Sequence, residues 1–168
     1  MLRLDKIFYD AITADADLMA ICGYEAPSAA YPQGKPARIK STCFEVGPDG
    51  EDKTPLPYIV IRDLGKQPAQ TTKDDGWMPC QWRVGAGIEI GAKSPNEVDD
   101  IAMKVMKAIS DHIVTLDEQN EEIPCLEEGY PQTQGIAWDW TKPCYWDIVS
   151  YQCDIDYNDD EQESNSDI

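Results

Sequence analysis

Between Pro57 and Ile113 the apolar positions change period twice, and each period predicts an element. Tyr58-Ile59-Val60-Ile61 is a run of four β-formers bounded by Pro57 and Asp63, which predicts a central strand covered on both faces. From Trp82 to Ile90 the even positions (Trp82, Val84, Ala86, Ile88, Ile90) are apolar, while the odd ones are Arg83, Gly85, Gly87 and Glu89. A period of two predicts a strand buried on one side. Val98, Ile101, Ala102, Val105, Ile109 and Ile113 then share one helical face. The start of that helix is spelled out: Ser94 can cap it, Pro95 suits its first position, and Glu97 can reach back to complete a capping box. Asp99 and Asp100 near the start, with Lys104 and Lys107 further along, suit the helix dipole.

The flanking segments carry weaker patterns. Leu4, Ile7, Phe8, Ala11 and Ile12 predict an N-terminal helix, after which Asp15 or Asp17 can cap a shorter one holding Leu18, Met19 and Ile21, closed by Gly23. Pro27, Pro32 and Pro36 make residues 24–40 a loop. Thr42 to Val46 forms a short strand, and Gly47-Pro48-Asp49-Gly50 a turn. Residues 63–80 read as a long polar loop. After the main helix come a charged turn over 116–120, a short strand over 123–126, and a turn at Gly129-Tyr130-Pro131. Two strands complete the sheet, Gln134 to Trp140 and Tyr145 to Tyr157, joined around Pro143. The fold class is therefore α+β: an antiparallel or mixed sheet, one long amphipathic helix packed on it, and a helical N-terminus. Residues 1–157 make a single domain, and residues 158–168, polar but for Ile168, an acidic tail expected to be disordered.

Charge changes this picture more than composition does. The net charge of the 168 residues is -18. Residues 1–107 hold 16 acids against 13 bases, whereas residues 108–168 hold 16 acids against Lys142 alone. Such an anion cannot gather phosphates by releasing counterions, so ordinary nucleic-acid binding is disfavoured, although an acidic lining could let DNA slide past. Arg3, Asp5 and Lys6 interrupt the N-terminus too early for a signal-peptide core, and no apolar run reaches the roughly 18 residues of a membrane span. The expectation is a soluble, cytoplasmically made protein with no membrane partner. Six scattered cysteines (Cys22, Cys43, Cys80, Cys125, Cys144, Cys153) form no C-x-x-C pair and have no zinc-spaced histidine, so free buried thiols are expected.

The chemical motifs fail on inspection. Gly85-Ala86-Gly87 lacks the third glycine of a dinucleotide fingerprint and lies inside a strand. Asp154-Ile155-Asp156-Tyr157-Asn158 begins like an EF-hand loop, but Asp159 stands where the glycine belongs and Asn165 where the bidentate Glu belongs. His112, the only histidine, sits at the end of the main helix with no Ser or Cys beside it. No catalysis, cofactor or metal is expected. Five tryptophans are many for this length, and aromatics on loops and sheet faces favour interfaces or sugar stacking. Trp82 belongs to its strand's core face, Trp138 and Trp140 share a face of another, and Trp77 sits in the long loop. Gly85 and Gly87 together leave room for close approach by another backbone, with relief of strand twist as the plainer reason.

Three stretches in order carry a resemblance. Ile7 to Ile21, with its Ala14-Asp15-Ala16 jog, is similar to the opening helices of the tail-completion, or tail-terminator, proteins of long-tailed phages. Leu56-Pro57-Tyr58-Ile59-Val60-Ile61 is similar to their "LPYVVI" strand, and Trp82 to Ile90 followed by Ser94 and its helix to their strand, serine-capped turn and helix. Together these cover about half the chain. The family's Gly-Arg-Ile segment after the second helix is missing; Arg38-Ile39 stands in for it after an inserted loop.

The resemblance implies a structural virion protein of the tail-neck junction, made in the host cytoplasm. It would form a homohexameric ring that caps the tail-tube protein and joins it to head-tail connector and neck proteins, with genome DNA passing through the lumen without specific binding. Arg62, Trp77, Met78, Arg83, Gly85, Gly87, Trp138 and Trp140 are the candidate interface residues. The rival readings are a carbohydrate-binding module using Trp77, Trp138 and Trp140, and another neck or connector protein of related fold.

Overall fold

The sheet is organised around its alternating strand, and the described helices pack on one of its sides. The structure, a computed structural model, describes residues 3–22, 29, 38–41, 55–70, 81–121 and 123–156. In chain order it holds α1 (Leu4–Ala14), α2 (Ala16–Ile21), β1 (Ile39–Ser41), β2 (Tyr58–Gln70), β3 (Gln81–Ala92) and α3 (Pro95–Glu118), then β4 (Cys125–Leu126), β5 (Gln132–Thr133), β6 (Ala137–Asp139) and β7 (Cys144–Asp156). The strands form one mixed sheet in the order β1-β2-β3-β7-β4, with β5 and β6 also pairing with β7. Among the described strands, only the β1–β2 pair is parallel. The chain is thus α+β, with the predicted long helix on a mixed sheet.

Alternation decides what each strand buries. Val84, Ala86, Ile88, Ile90 and Ala92 of β3 pack with Val149, Tyr151, Cys153 and Ile155 of β7 under Phe8 and Ile12 of α1 and Val98, Ile101, Val105 and Ile109 of α3. Each fully buried Ile or Val contributes roughly 1.5–3 kcal/mol. The Tyr58–Ile61 run is buried on both sides, as its continuous apolar pattern predicts: Ile59 and Ile61 join the main core, while Tyr58 and Val60 form a small second cluster with Cys144. Trp82 takes the helix-side parity of β3 but is only half-buried, and its indole N–H has no hydrogen-bond partner among the described residues.

The caps follow the sequence with one change of partner. Asp15 accepts the Leu18 N–H at 2.9 Å and starts α2. Ser94 Oγ accepts the Glu97 N–H at 3.2 Å, but Glu97 reaches past Ser94 to accept the N–H of Lys93 at 3.3 Å. α3 also runs further than predicted. Leu116 is buried and adds another turn to the apolar face, so the expected charged turn at 116–118 is helix, and His112 lies six residues short of the helix end. Lys107 is consequently mid-helix, where it pairs with Asp111 at 2.7 Å instead of serving the terminus.

Three other expectations are corrected. Residues 63–70, read as loop, continue β2 as the outer strand of a long hairpin with β3. Exposed on both faces from 63 to 68, they have no buried side to impose a period. Residues 38–41, read as the end of a loop and its approach, hold β1. Arg38 fixes it: its N–H donates to the Cys22 carbonyl at 2.9 Å, Nε to the Pro57 carbonyl at 2.9 Å, and a terminal nitrogen to the Ile21 carbonyl at 3.2 Å. Of the predicted strand 134–140 only β6 forms, with β5 just ahead of it; between the two Gly135 takes a positive φ of 98° and its N–H donates to the buried Asp147 carboxylate at 3.0 Å. The predicted strand at 42–46, the turn at 47–50, Gly23 and the acidic tail lie outside the described residues.

β4, β5 and β6 therefore form one interrupted edge running antiparallel along β7. From Leu126 to Gln132 the edge advances six residues while β7 advances three, and from Thr133 to Ala137 four against three. An edge broken in this way resists strand-to-strand aggregation. No described helix is long and apolar enough to cross a membrane.

Two expected outcomes follow from this packing. A β-carbon on Gly91 would overlap the Tyr58 ring, which lies against that glycine. Gly91→Ala should therefore cost about 1–3 kcal/mol in urea unfolding, and the cost should shrink in a Tyr58→Ala background, where the clash is gone. The second outcome concerns Asp5, which is buried at the start of α1 and bonded to Arg3 at 2.6 Å; that guanidinium holds its carboxyl below the ordinary value of 3.8. A lowered carboxylate adds stability in full above its unfolded value and loses it as pH falls through the folded value. Asp5→Asn should lower the urea midpoint at neutral pH and reduce its further fall below about pH 4.

Candidate functional site

Two surface regions gather polar and aromatic groups. The first begins with a bulge. Between the pairs Asp63↔Ala86 and Lys66↔Val84, β2 inserts Leu64 and Gly65 opposite the single residue Gly85. Gly65 has φ +85°, and its N–H donates to Asp63 Oδ1 at 2.7 Å. Only glycine adopts that conformation cheaply, as in bulges of this kind. The bulge turns Leu64 over the glycine face of β3: its side chain lies 3.1 Å from where a β-carbon on Gly85 would be and 3.4 Å from one on Gly87. The room left by the glycines is thus filled by an intramolecular leucine, itself 57% exposed.

Beside it, Arg83 is held by carboxylates. Nε lies 3.0 Å from Asp154 Oδ1 and a terminal nitrogen 3.0 Å from Glu127 Oε1, so the guanidinium ties β3 to β7 and to the turn after β4. Arg62 sits near Glu89 across the β2–β3 pair, at 3.4 Å. A polar groove of about 410 Å³ runs between Leu64, Arg83, Gln132 and Gln152. The EF-hand-like carboxylate Asp154 is accounted for here as the Arg83 partner, and Asn158 onward lies outside the described residues.

The second region is at the opposite end of the strands. Trp138 on β6 packs edge-on against Tyr145 at 4.8 Å between ring centroids and against Trp140 at 6.1 Å, the two indoles standing 80° apart. Trp140 is 89% exposed. Asp139 shapes the turn between them: its Oδ1 accepts the Thr141 N–H at 2.9 Å, the Thr141 hydroxyl at 2.7 Å and the Lys142 N–H at 3.4 Å. Those bonds, the hydroxyl first, hold its carboxyl below the usual carboxylate range. The Lys142 ammonium lies 4.3 Å from the centre of the Tyr58 ring. Tyr58, Glu89, Trp138, Asp139, Trp140 and Trp146 surround a cavity of about 400 Å³.

The predicted residues thus divide. Arg62, Arg83, Gly85 and Gly87 meet at the bulged end of the hairpin; Trp138 and Trp140 meet at the other end; Trp77 and Met78 lie outside the described residues. Sequence reasoning missed Leu64, Glu89 and Asp139. A single leucine directly before Gly65 in a polar run was the available sign for the first, and the Asp-x-Thr spacing of 139–141 for the last. Burial pushes the Cys22 thiol up to about 11 and the Cys153 thiol up to about 12, and raises Cys144 as well, so these thiols stay protonated at neutral pH. The described cysteines 22, 125, 144 and 153 are free, and Cys125, against the expectation of buried thiols, is exposed. Among the described residues no three His, Cys, Asp or Glu side chains gather to hold a metal ion.

In the native protein, limited iodoacetamide labelling followed by peptide mass mapping should modify Cys125 well ahead of Cys22, Cys144 and Cys153. Equal rates would contradict this packing. No protein-family model matches the chain, and no curated protein matches it.

Proposed function

We propose that this chain is a structural ring subunit of the tail-neck junction of a long-tailed phage, a tail-terminator or tail-completion protein. In this reading the ring closes the end of the tail tube and offers its other face to the head connector, and no bond is made or broken. The sequence resemblance supplies the identity, and one observation supports it physically: the two lateral edges of the sheet are unlike. One edge is β1 followed by the exposed outer strand of the hairpin, carrying Leu64; the other is the interrupted β4–β6 segment. Rings are built from head-to-tail contacts between two different surfaces. The three stretches that resemble the family fall on α1 and α2, the start of β2, and β3 with α3, which pack together with β7 in the core.

The mechanism is occlusion. A ring seated on the growing tube presents a surface that does not repeat the tube's own, which stops polymerisation and leaves a docking face. The acidic C-terminal third, if turned to the lumen, would repel DNA from the wall.

Native mass spectrometry of the purified protein at about 100 µM should show a closed oligomer, six subunits as the resemblance implies. Leu64→Glu should yield monomers with an unchanged far-UV spectrum, because the replaced side chain is exposed. A monomer at every concentration, both alone and with tail tubes, would remove the ring.

A further inference from the structure

We propose that the aromatic corner at the β6–β7 turn is a binding site for a neutral hexopyranose unit of an oligosaccharide. Its cavity of about 400 Å³ falls within the ~300–1,000 Å³ of small-molecule sites. The corner takes in β6, the end of the interrupted edge that the ring reading also uses, so the two readings share Trp138 and are told apart by separate readouts.

The choice of ligand follows from what the walls can and cannot satisfy. Charge comes first. Glu89 is paired with Arg62 at 3.4 Å, and the Asp139 carboxyl, held down chiefly by its bonds from Thr141, also feels the charge of Lys142. With each carboxylate beside a cation, the corner has no net charge to spend on an ion of either sign. A purely apolar ligand fails for a different reason, because it would strip water from Glu89 and Asp139 and return no hydrogen bond. What fits is a neutral molecule with one apolar face and a rim of hydroxyl donors.

A pyranose ring has that shape. Its C–H face can lie on the Trp140 indole, which is 89% exposed, with Trp138 standing across it at 80° as a second wall. Indoles suit this role because they bring a flat apolar surface on a stiff side chain. The turn bonds of Asp139 all go to Oδ1, which leaves Oδ2 as the acceptor for a sugar hydroxyl. Tyr58 takes no part in stacking: its ring lies against Gly91 and the Lys142 ammonium lies over it. Its part is to close the floor of the corner.

The test is a tryptophan-fluorescence titration of the full chain with cellotetraose, maltotetraose and chitotetraose, using choline and sulfate as charged comparators. At least one oligosaccharide should give a saturable change below about 10 mM, and Trp140→Ala should weaken it at least tenfold while the far-UV spectrum stays the same. Trp140→Phe should retain part of the binding, since it keeps an aromatic face. No saturable change with any of the three sugars, saturation by choline or sulfate alone, or binding that Trp140→Ala leaves intact would each overturn the proposal. Subunit mass is a separate readout, so the ring and the sugar site can fail independently.

Discussion

One-sided burial of the β3–β7 ladder is the constraint on which the rest of this molecule depends. From Val84 to Ala92 and from Val149 to Ile155 every second residue enters a core closed by α1 and α3, and among the described residues no helix covers the opposite side. That outer side must then be stabilised by devices within the sheet itself. Tyr58 lies on Gly91, Leu64 lies on Gly85 and Gly87, and Arg83 joins three chain segments through two carboxylates. Each is a cross-strand contact between residues distant in sequence. The outer side therefore keeps its shape without a second layer and remains available to partners.

How far the sequence disclosed this depended on burial. The β3 alternation, the continuous Tyr58–Ile61 run and the Ser94 cap each report a strong local preference, and all three elements form where the pattern places them. Residues 63–70 looked like loop because a strand with neither face buried has no hydrophobic period to display. β1 was hidden for another reason: it is three residues long and is held by Arg38, whose partners at Ile21, Cys22 and Pro57 no local window contains. The break between β5 and β6 depends on Gly135 meeting a buried carboxylate twelve positions on, again a non-local event. As for the candidate site, the tryptophans were visible as residues, but their gathering with Glu89 and Asp139 needed the β3–β7 register.

Electrostatics on the described body are more local than the overall charge suggests. Arg62, Arg83 and Lys107 each have a carboxylate partner within the fold, and Lys142 lies against Tyr58. Few bases remain to offset acids elsewhere, so the surplus negative charge is carried by the C-terminal third. Its range is set by salt, about 8 Å at physiological ionic strength, which makes it a short-range barrier at a surface.

The Leu64–Gly65 bulge has a consequence for the hairpin beyond it. Before the bulge the odd positions of β2 share the helix side with the core; after it, Lys66 and Pro68 stand opposite Val84 and Trp82, so the parity is reversed. A second shift between Pro68 and Gln70 reverses it again. These paired phase changes uncouple the arm from the body: residues added or lost distal to them need not slip the Ile59–Ile90 register beneath. The hairpin can therefore change in length while the core stays fixed, which makes it the natural place for grafting a foreign epitope.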